Sequence, residues 1–262
     1  MKASTLVIAG TGIKFISHLT HEVEVYIQNS SKILYLSNEP AIEEWIKSKH
    51  LNTESLYDYY TRHESRLKNY QEIANKILSD VNKFETTLVL LYGHPTVYAM
   101  PALEAAIKAR KQNVEVIILP GISADACLYA DLMIDPGSAG CQSYDATDFL
   151  IKNKIIDNTS HTILWQIGSI GSISLISNYG NKTGIRLLKN KLSELFTPNH
   201  PVTVYEASQY PHFRPRIDDI TIEDLENIEL TALSTLYIPP INVSTINNEI
   251  LDKLNLSIDQ LK

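Results

Sequence analysis

Residues 56–73, LYDYYTRHESRLKNYQEI, bring together side chains that could stabilise a developing negative charge. The segment contains the phenols of Tyr57, Tyr59, Tyr60 and Tyr70 and the guanidinium groups of Arg62 and Arg66. Arg66 and Tyr70 are four residues apart, so in a helix they share one face and the guanidinium can lie near the phenol. A cation beside a phenol favours the phenolate, and the fixed fork of guanidinium donors can hold an oxyanion.

The same composition is also typical of a protein interface rich in tyrosine and arginine. On composition alone, the interface is the preferred interpretation and catalysis is the alternative. His63, in the same segment, is interpreted as a surface histidine and not as a base.

A second candidate site follows a predicted strand in LLYGHPTVYAMPAL, residues 90–103. Gly93 lets the backbone turn without a Cβ atom, Pro95 fixes the next dihedral angle, and His94 is a polar group that can face a ligand. Ligands of open α/β sheets bind beyond the carboxyl ends of the strands. A lone Gly-His-Pro is nevertheless explained by an ordinary strand-to-helix turn. The GTGIK turn at residues 10–14 lacks the third glycine of the dinucleotide fingerprint, so it is a weak nucleotide signal.

The elements that must position these residues alternate between strand-like and helix-like segments. Runs rich in Val, Ile and Leu predict strands at STLVIAG, KILYLS, TLVLLYG, VEVIILPG, HTILWQIG, VTVYEAS and STLYIPP. Amphipathic or buried patterns predict helices at HEVEVYIQN, AIEEWIKSK, YQEIANKILSDV, ALEAAIKARKQ and ADACLYADLMI. This alternation predicts an α/β fold in which right-handed crossovers place the helices on the sheet faces.

Turn residues between about Pro120 and Gly140 predict a domain boundary. We expect an N-terminal α/β domain over residues 1–119 that carries the tyrosine-rich helix and a clamp, and a C-terminal α/β domain over residues 120–240. Residues 241–262 are expected to form a helical tail. The Thr-x-x-Asp pattern at Thr221 could cap a helix or form a simple turn, and the pattern does not decide between them.

Composition excludes several classes of protein. A formal net charge of −7 argues against nucleic acid as a partner, since neutralising phosphates requires a basic surface. Cys127 and Cys141 lack zinc or redox spacing and are interpreted as small apolar core residues, and no metal site is predicted. The first apolar run leads into a glycine turn and is interpreted as a strand and not a signal peptide. Charges or turns interrupt every apolar run, so we expect a soluble, cytoplasmic protein without a membrane partner.

Seven motifs, in their order and spacing, closely resemble the borosin peptide backbone α-N-methyltransferases, which belong to the tetrapyrrole methylase superfamily. The motifs are GTGIK, YGHPTVYAMP, LPGISADACLYADLMIDPG, QSYDA, LWQIG, VYEASQYP and STLYIPP. The resemblance covers residues 5–240 and includes the spacing of Tyr57, Arg66 and Tyr70. Typical tetrapyrrole methylases carry a Gly-Pro-Gly-Asp loop after the first strand, where this chain has GTGIKF. This departure argues against a porphyrinoid substrate.

The resemblance implies a two-domain α/β tetrapyrrole-methylase-like fold with S-adenosylmethionine (SAM) in the cleft between the domains and S-adenosylhomocysteine as its product. By matching position, it assigns ten residues to the cofactor wall: Tyr92, His94, Val97, Tyr98, Ala124, Gln166, Tyr205, Ala207, Ser234 and Thr235. A sulfonium favours aromatic faces and carbonyl or amide dipoles over a cation. Adenine and ribose need a small number of oriented polar groups within an apolar wall.

The resemblance places the chemistry on Tyr57, Arg66, Tyr70 and Tyr92. A backbone amide nitrogen is a poor nucleophile because its lone pair is delocalised into the carbonyl group. In the predicted mechanism Tyr70, made more acidic by Arg66, removes the amide proton. Tyr57 and Arg66 hold the carbonyl oxygen, and Tyr92 lines the path of the methyl group. Which tyrosine is the base stays open.

The predicted function is therefore SAM-dependent α-N-methylation of backbone amides in a ribosomal precursor peptide. The chain stops about twenty residues after Pro240 without an apolar core-peptide tail, so the precursor is expected to be a separate chain. The resemblance implies a homodimer that binds two precursor chains as a heterotetramer. The alternatives are a tetrapyrrole-type C- or O-methyltransferase of small molecules and a catalytically dead peptide-binding module.

Overall fold

Strands and helices alternate along the chain, which confirms the predicted α/β class. The computed structural model describes residues 4–14, 16–37, 39–60, 62–63, 65–172 and 180–261. These residues divide into two compact units. The first unit takes in the described residues of Met1–Ile134, Gly171–Tyr179 and Tyr205–Arg216, and the second takes in those of Asp135–Ile170, Gly180–Val204 and Ile217–Lys262.

The elements that lie wholly in the first unit are β1 (Thr5–Gly10), α1 (His21–Asn29), β2 (Lys32–Leu36), α2 (Pro40–Lys49), β3 (Thr53–Ser55), α3 (Tyr57–Tyr60), α4 (Arg66–Val81), β4 (Thr86–Leu91), α5 (Met100–Lys111), β5 (Glu115–Leu119) and α6 (Ala124–Asp131). They are followed by α7 (Pro136–Ala139), β6 (Cys141–Asp145), α8 (Ala146–Ile151), β7 (His161–Trp165), α9 (Lys182–Leu195), β8 (Pro201–Glu206), β9 (Arg216–Thr221), β10 (Thr235–Ile238) and α10 (Asn248–Lys253). Short 3₁₀ helices span Ile167–Ser169, Ile222–Glu226 and Ile258–Leu261.

The first unit is built on a five-stranded sheet in the order β3-β2-β4-β1-β5, whose paired strands are all parallel. Alternate residues of β1 point to opposite faces. Leu6 and Ile8 join the core formed with α4 and α5, whereas Val7 and Ala9 join the core formed with α1 and α2. Helices therefore cover both faces, which explains why these strands are apolar throughout. The loops after the strands are left at the edge where ligands of such sheets bind.

The second unit is built on a five-stranded sheet in the order β6-β7-β10-β8-β9. Strands β6 and β7 are parallel, and β7 and β10 are antiparallel. Helix α9 packs Ile185, Leu188 and Leu192 into its core. At Thr221 the side-chain and backbone bonds with Asp224 form a capping box at the start of a 3₁₀ helix, which settles the open question in favour of a cap.

Seven strands and α-helices of this structure are not predicted by the sequence patterns above. They are the strands β3, β6 and β9 and the helices α3, α7, α8 and α9. The interpretation of Cys141 as a core residue is wrong, because Cys141 is exposed on β6, whereas Cys127 is buried as expected. Strand β6 lies at the edge of its sheet, where side chains keep contact with solvent.

Candidate active site

Helix α4 presents Arg66 and Tyr70 together to a cavity of about 740 Å³. The other residues that line this cavity are His63, Ser65, Leu67, Lys68, Met100 and Ser172. The Arg66 side chain donates from Nη2 to the carbonyl oxygen of Ser172 at 3.1 Å. Its Nε atom is buried and has no hydrogen-bond partner among the residues that the structure describes. A buried donor of this kind is costly unless an acceptor reaches it, so the guanidinium has capacity for one more acceptor.

Three phenols lie in a row beside this guanidinium. The ring of Tyr60 stacks on Tyr57 at a centroid distance of 6.3 Å and lies 6.0 Å from the ring of Tyr70. Burial, followed by the neighbouring Tyr70 phenol and a hydrogen bond to it, raises the pKa of Tyr60 above its usual range. Tyr60 is therefore a protonated phenol at neutral pH and can act as a hydrogen-bond donor. The sequence reasoning left Tyr60 out of the catalytic set.

Tyr70 also lines a second cavity, of about 220 Å³, that brings the two predicted groups of residues together. This cavity is lined by the candidate catalytic residues Tyr70 and Tyr92, by Tyr60, and by Val97 and Tyr98 from the predicted cofactor wall. Its remaining lining is mostly aliphatic and comes from β2, α4, β4 and the start of α5: Leu36, Ile73, Ile77, Leu91, Ala99, Pro101 and Ala102. The arrangement is an apolar wall with phenols converging on it, which is typical of a small-molecule site.

Tyr92 and His94 lie in the loop after β4, at the carboxyl end of the sheet. Gly93 has φ +71°, in the left-handed region, and bridges Gly12 through two backbone hydrogen bonds of 3.0 and 3.2 Å. The fit is tight, because a Cβ atom on Gly10 would lie 2.3 Å from the Gly93 carbonyl oxygen. The glycines thus let the loops after β1 and β4 touch.

The side chains of this loop differ in their surroundings. Tyr92 keeps 39% of its surface exposed, but burial around its phenol raises the pKa to about 12, and a hydrogen bond with Gln209 opposes that shift. The Nδ1 atom of His94 accepts from the backbone N–H of Thr96 at 3.2 Å. Tyr98 is exposed and adopts φ 54°, which is uncommon for a residue other than glycine. Such backbone conformations are concentrated at functional sites.

The remaining first-unit members of the predicted cofactor wall are Ala124, Tyr205 and Ala207. Ala124 is the first residue of α6, in the segment that follows β5. Tyr205 is only 1% exposed, and its hydroxyl donates to Asp131 Oδ2 at 2.7 Å. Burial, with Asp131 beside it, raises the pKa of Tyr205. Its phenol is thus held inside the protein, which leaves its backbone and the half-buried Ala207 as the groups that could meet a ligand.

The second unit holds Gln166, Ser234 and Thr235 at one end of its sheet. Gln166 follows β7 with φ 58°, and Thr235 begins β10, the strand paired with β7. The backbone N–H of Ile167 donates to the Ser234 carbonyl oxygen at 3.2 Å. Ser234 Oγ accepts from the Thr231 N–H at 2.8 Å. The structure therefore brings these three residues together within the unit.

His63 lines the larger cavity and is half-buried. Its Nε2 atom lies 2.8 Å from a carboxylate oxygen of Glu72, which also pairs with Arg62 at 2.9 Å. The interpretation as a plain surface histidine is therefore incomplete. Within the described part of the chain, no cluster of three or more His, Cys, Asp or Glu side chains could hold a metal ion. None of the helices described is long and apolar enough to cross a bilayer.

Comparison with known families decides what this arrangement is related to. The profile of the family described as Tetrapyrrole (Corrin/Porphyrin) Methylases matches residues 5–221. This chain belongs to the tetrapyrrole methylase family. The match spans the first sheet, four of the five strands of the second sheet, and the loops that carry the first-unit site residues.

Among curated proteins, this tetrapyrrole methylase is similar to two proteins whose names join a methyltransferase to a ribosomally synthesized cyclic peptide precursor. It is 35% identical over 254 residues to the dendrothelin A precursor of Dendrothele bispora, covering 95% of this chain and 61% of that protein. It is 36% identical over 261 residues to a type I borosin precursor of Gymnopilus junonius, covering 98% of this chain and 62% of that protein. The chain thus spans about three fifths of the length of these relatives.

Among solved structures, the fold is similar to that of a uroporphyrin-III-C-methyltransferase from Thermus thermophilus. The TM-score is 0.65 at 15% identity, and the alignment covers 92% of this chain and 93% of that one. At this identity the likeness establishes the fold alone.

Proposed function

We propose that this tetrapyrrole methylase transfers a methyl group from SAM to backbone amide nitrogens of a ribosomal precursor peptide. Two findings support the proposal: membership of a methylase family, and 35–36% identity to proteins named as methyltransferases joined to cyclic peptide precursors. The observation that carries it is local. Arg66, with a buried donor that lacks an acceptor among the described residues, lies beside phenols that converge on one apolar cavity.

An amide needs such a site because its nitrogen lone pair is delocalised and its N–H proton must leave. Arg66 would donate to the amide oxygen, where charge accumulates as the proton departs. Tyr70 would accept that proton as a phenolate and become a neutral phenol, and Tyr60, hydrogen-bonded to Tyr70, would stabilise the phenolate before the transfer by donating to its oxygen. The role of Tyr57 at the carbonyl oxygen stays a prediction; its ring stacks on that of Tyr60.

The predicted cofactor residues suit a sulfonium ligand. Tyr92 and Tyr98 present exposed aromatic surface at the carboxyl end of β4, and none of the ten assigned residues is lysine or arginine. Aromatic faces attract a cation, and a neighbouring ammonium or guanidinium would repel it. Bound SAM would supply an electrophilic methyl group. Tyr92, which lines the same cavity as Tyr70, would border the path to the amide nitrogen.

The substrate and assembly are also proposals. We expect a precursor supplied as a separate chain to be accepted, and a homodimer that binds two precursor chains. A small porphyrinoid substrate is the competing enzyme class, and a peptide-binding module without catalysis is the competing class outside enzymes. Neither alternative requires the Arg66 guanidinium and the phenols to activate an amide. An electron-rich pyrrole carbon needs less activation than an amide nitrogen, and a binding module transfers no methyl group.

The test has two steps. Isothermal titration must first detect SAM or S-adenosylhomocysteine binding to the folded protein, and its absence would overturn the proposal. Arg66→Ala and Tyr70→Phe should then suppress precursor methylation, read by intact mass, while SAM and precursor affinities stay close to those of the unmodified protein. Removing one preorganised donor typically costs on the order of a hundredfold to a thousandfold in turnover. Gln71→Ala, an exposed substitution next to Tyr70, is the matched control.

If the tyrosine-rich segment is instead an interface, the same two variants should lose precursor binding or assembly. They would then methylate bound peptide at the normal single-turnover rate. Size-exclusion chromatography with precursor present separates the two results.

A further inference from the structure

The buried stripe of helix α4 begins with an asparagine. Asn69 is 0% exposed and precedes Ile73 and Ile77 on the same face of the helix. Burying an amide side chain is unfavourable unless its donors and acceptor are hydrogen-bonded. The position would hold an apolar residue if packing alone decided it.

Asn69 uses both of its N–H donors and its carbonyl oxygen on a single backbone segment. Its Nδ2 atom donates to the carbonyl oxygens of Tyr60 and His63, each at 2.8 Å. Its Oδ1 atom accepts from the His63 backbone N–H at 2.8 Å. One buried side chain therefore holds both ends of residues 60–63 against α4.

A second set of contacts holds the same segment on its solvent-facing side. Glu72, one turn further along α4, pairs with Arg62 at 2.9 Å and with His63 Nε2 at 2.8 Å. Both carboxylate contacts are partly exposed, so solvent screens them. Asn69 itself is 0% exposed, so solvent screens its hydrogen bonds less, and they are the stronger constraint on the segment.

We propose that Asn69 is a positioning residue of the methyl-transfer site and that it holds the Tyr60 phenol against Tyr70. The inference rests on the proposed function. Tyr60 is the end of the held segment and the ring between Tyr57 and Tyr70. Fixing its carbonyl oxygen fixes the backbone from which its side chain projects. Asn69 touches no reacting atom in this account and acts through Tyr60.

The reason for asparagine is the combination of two donors and one acceptor in a planar group. Asn69→Asp is nearly isosteric but replaces the two donors with an oxygen that faces the Tyr60 and His63 carbonyl oxygens. Asn69→Leu keeps similar bulk and removes all three hydrogen bonds. Both leave the carbonyl oxygens of Tyr60 and His63 without the Asn69 donor, which favours movement of the segment.

The experiment compares Asn69→Asp and Asn69→Leu with Asn75→Asp, an exposed asparagine on the same helix, in the full chain. Misplacement by about 1 Å can cost on the order of a hundredfold, so single-turnover methylation of the precursor should fall by about that factor. SAM and precursor dissociation constants should change less than about twofold, because Asn69 contacts neither in this account. Hydrogen exchange at the His63 amide should increase in both Asn69 variants and not in Asn75→Asp.

Glu72→Gln keeps the inference testable if neither Asn69 variant folds. It weakens the partly exposed contacts of Glu72 with Arg62 and His63, so the protein should stay folded and its methylation rate should fall on the order of threefold. A rate equal to that of the unmodified protein in a folded Asn69 variant would overturn the inference, as would a rate loss fully explained by weaker precursor binding. If no Asn69 variant folds, an unchanged rate in Glu72→Gln would overturn it. Absence of methylation by the unmodified protein would instead overturn the proposed function.

Discussion

At the scale of single residues, removing the hydroxyl of Tyr60 tests whether this phenol takes part in proton transfer or only packs against its neighbours. Tyr60→Phe keeps the ring between Tyr57 and Tyr70 and removes the hydrogen bond to Tyr70. We expect single-turnover methylation to fall by on the order of tenfold to a hundredfold, with unchanged SAM affinity. Tyr59→Phe is the matched control, because Phe retains the ring surface over which Arg62 lies at 4.3 Å. Equal methylation rates in the two variants would exclude a role of the Tyr60 hydroxyl in the reaction.

Arg66 tests whether geometry matters beyond charge. Arg66→Lys keeps one positive charge but loses the planar guanidinium. That group bonds Ser172 through Nη2, and its buried Nε has no hydrogen-bond partner among the described residues. We expect turnover to fall by about a hundredfold at saturating precursor, with a similar KM. A lysine variant that works at nearly the normal rate would show that a point charge suffices.

Residue spacing could predict part of this site. Arg66 and Tyr70 are four residues apart on α4, and in the structure both side chains line the same cavity. Tyr60 could not be found by that rule, because its contact with Tyr70 crosses a loop and not a helical turn. The signal that could have found it is Asn69, a buried-stripe position occupied by an amide. That signal depends on knowing where the helix begins. The predicted helix begins at Tyr70, four residues after the observed start at Arg66.

At the scale of elements, an ion-pair network joins β2, β3 and α4. Glu54 pairs with Lys32 at 3.0 Å and with Lys76 at 2.7 Å, and Lys76 pairs with Asp80 at 3.0 Å. Burial alone would raise the pKa of Glu54, but the bonds from Lys76 and Lys32 together lower it. Lys32 and Asp80 are buried, so the network holds charges that need their partners.

This network predicts a pH dependence of stability. Because the folded pKa of Glu54 is lowered, its contribution is fully present above the unfolded pKa and is lost as pH falls through the folded pKa. Glu54→Gln should lower the free energy of unfolding at neutral pH by about 1 kcal/mol, after discounting for solvent screening at a partly exposed carboxylate. The difference from the unmodified protein should shrink in acid. Denaturant titrations at several pH values measure it.

Glu44→Gln is the control for that series, since Glu44 forms an exposed pair with Lys47 on α2. It should change stability little at any pH. A constant difference between Glu54→Gln and the unmodified protein from neutral to acid pH would contradict the linkage.

The three strands that the sequence patterns missed share a physical cause. Strands β3, β6 and β9 all lie at sheet edges, where one side meets no neighbouring strand and polar residues are tolerated. The sequences TES, CQSYD and RIDDIT accordingly lack the apolar runs that identify buried parallel strands. Helix α9 is different, because its buried Ile185, Leu188 and Leu192 follow helical spacing and the signal was present.

At the scale of the whole molecule, apolar side chains near the C-terminal end predict self-association. Seven exposed residues lie between 241 and 258: Ile241, Val243, Ile246, Ile250, Leu254, Leu256 and Ile258. Contiguous exposed apolar surface is typical of an interface. We expect a homodimer by light scattering coupled to size exclusion. Ile250→Glu with Leu254→Glu should shift it toward monomer, whereas Leu51→Glu, at an exposed apolar site elsewhere, should not. A monomeric unmodified protein at micromolar concentration would contradict the prediction.

The central claim is that methyl groups go to backbone nitrogens of a peptide. Its most direct test incubates the protein with isotopically labelled SAM and a candidate precursor, followed by fragmentation mass spectrometry. We predict successive additions of one labelled methyl each, located by fragment ions on backbone amide nitrogens, and none with Tyr70→Phe over the same period. No label on the peptide, together with label transferred to a porphyrinoid offered in parallel, would contradict the account.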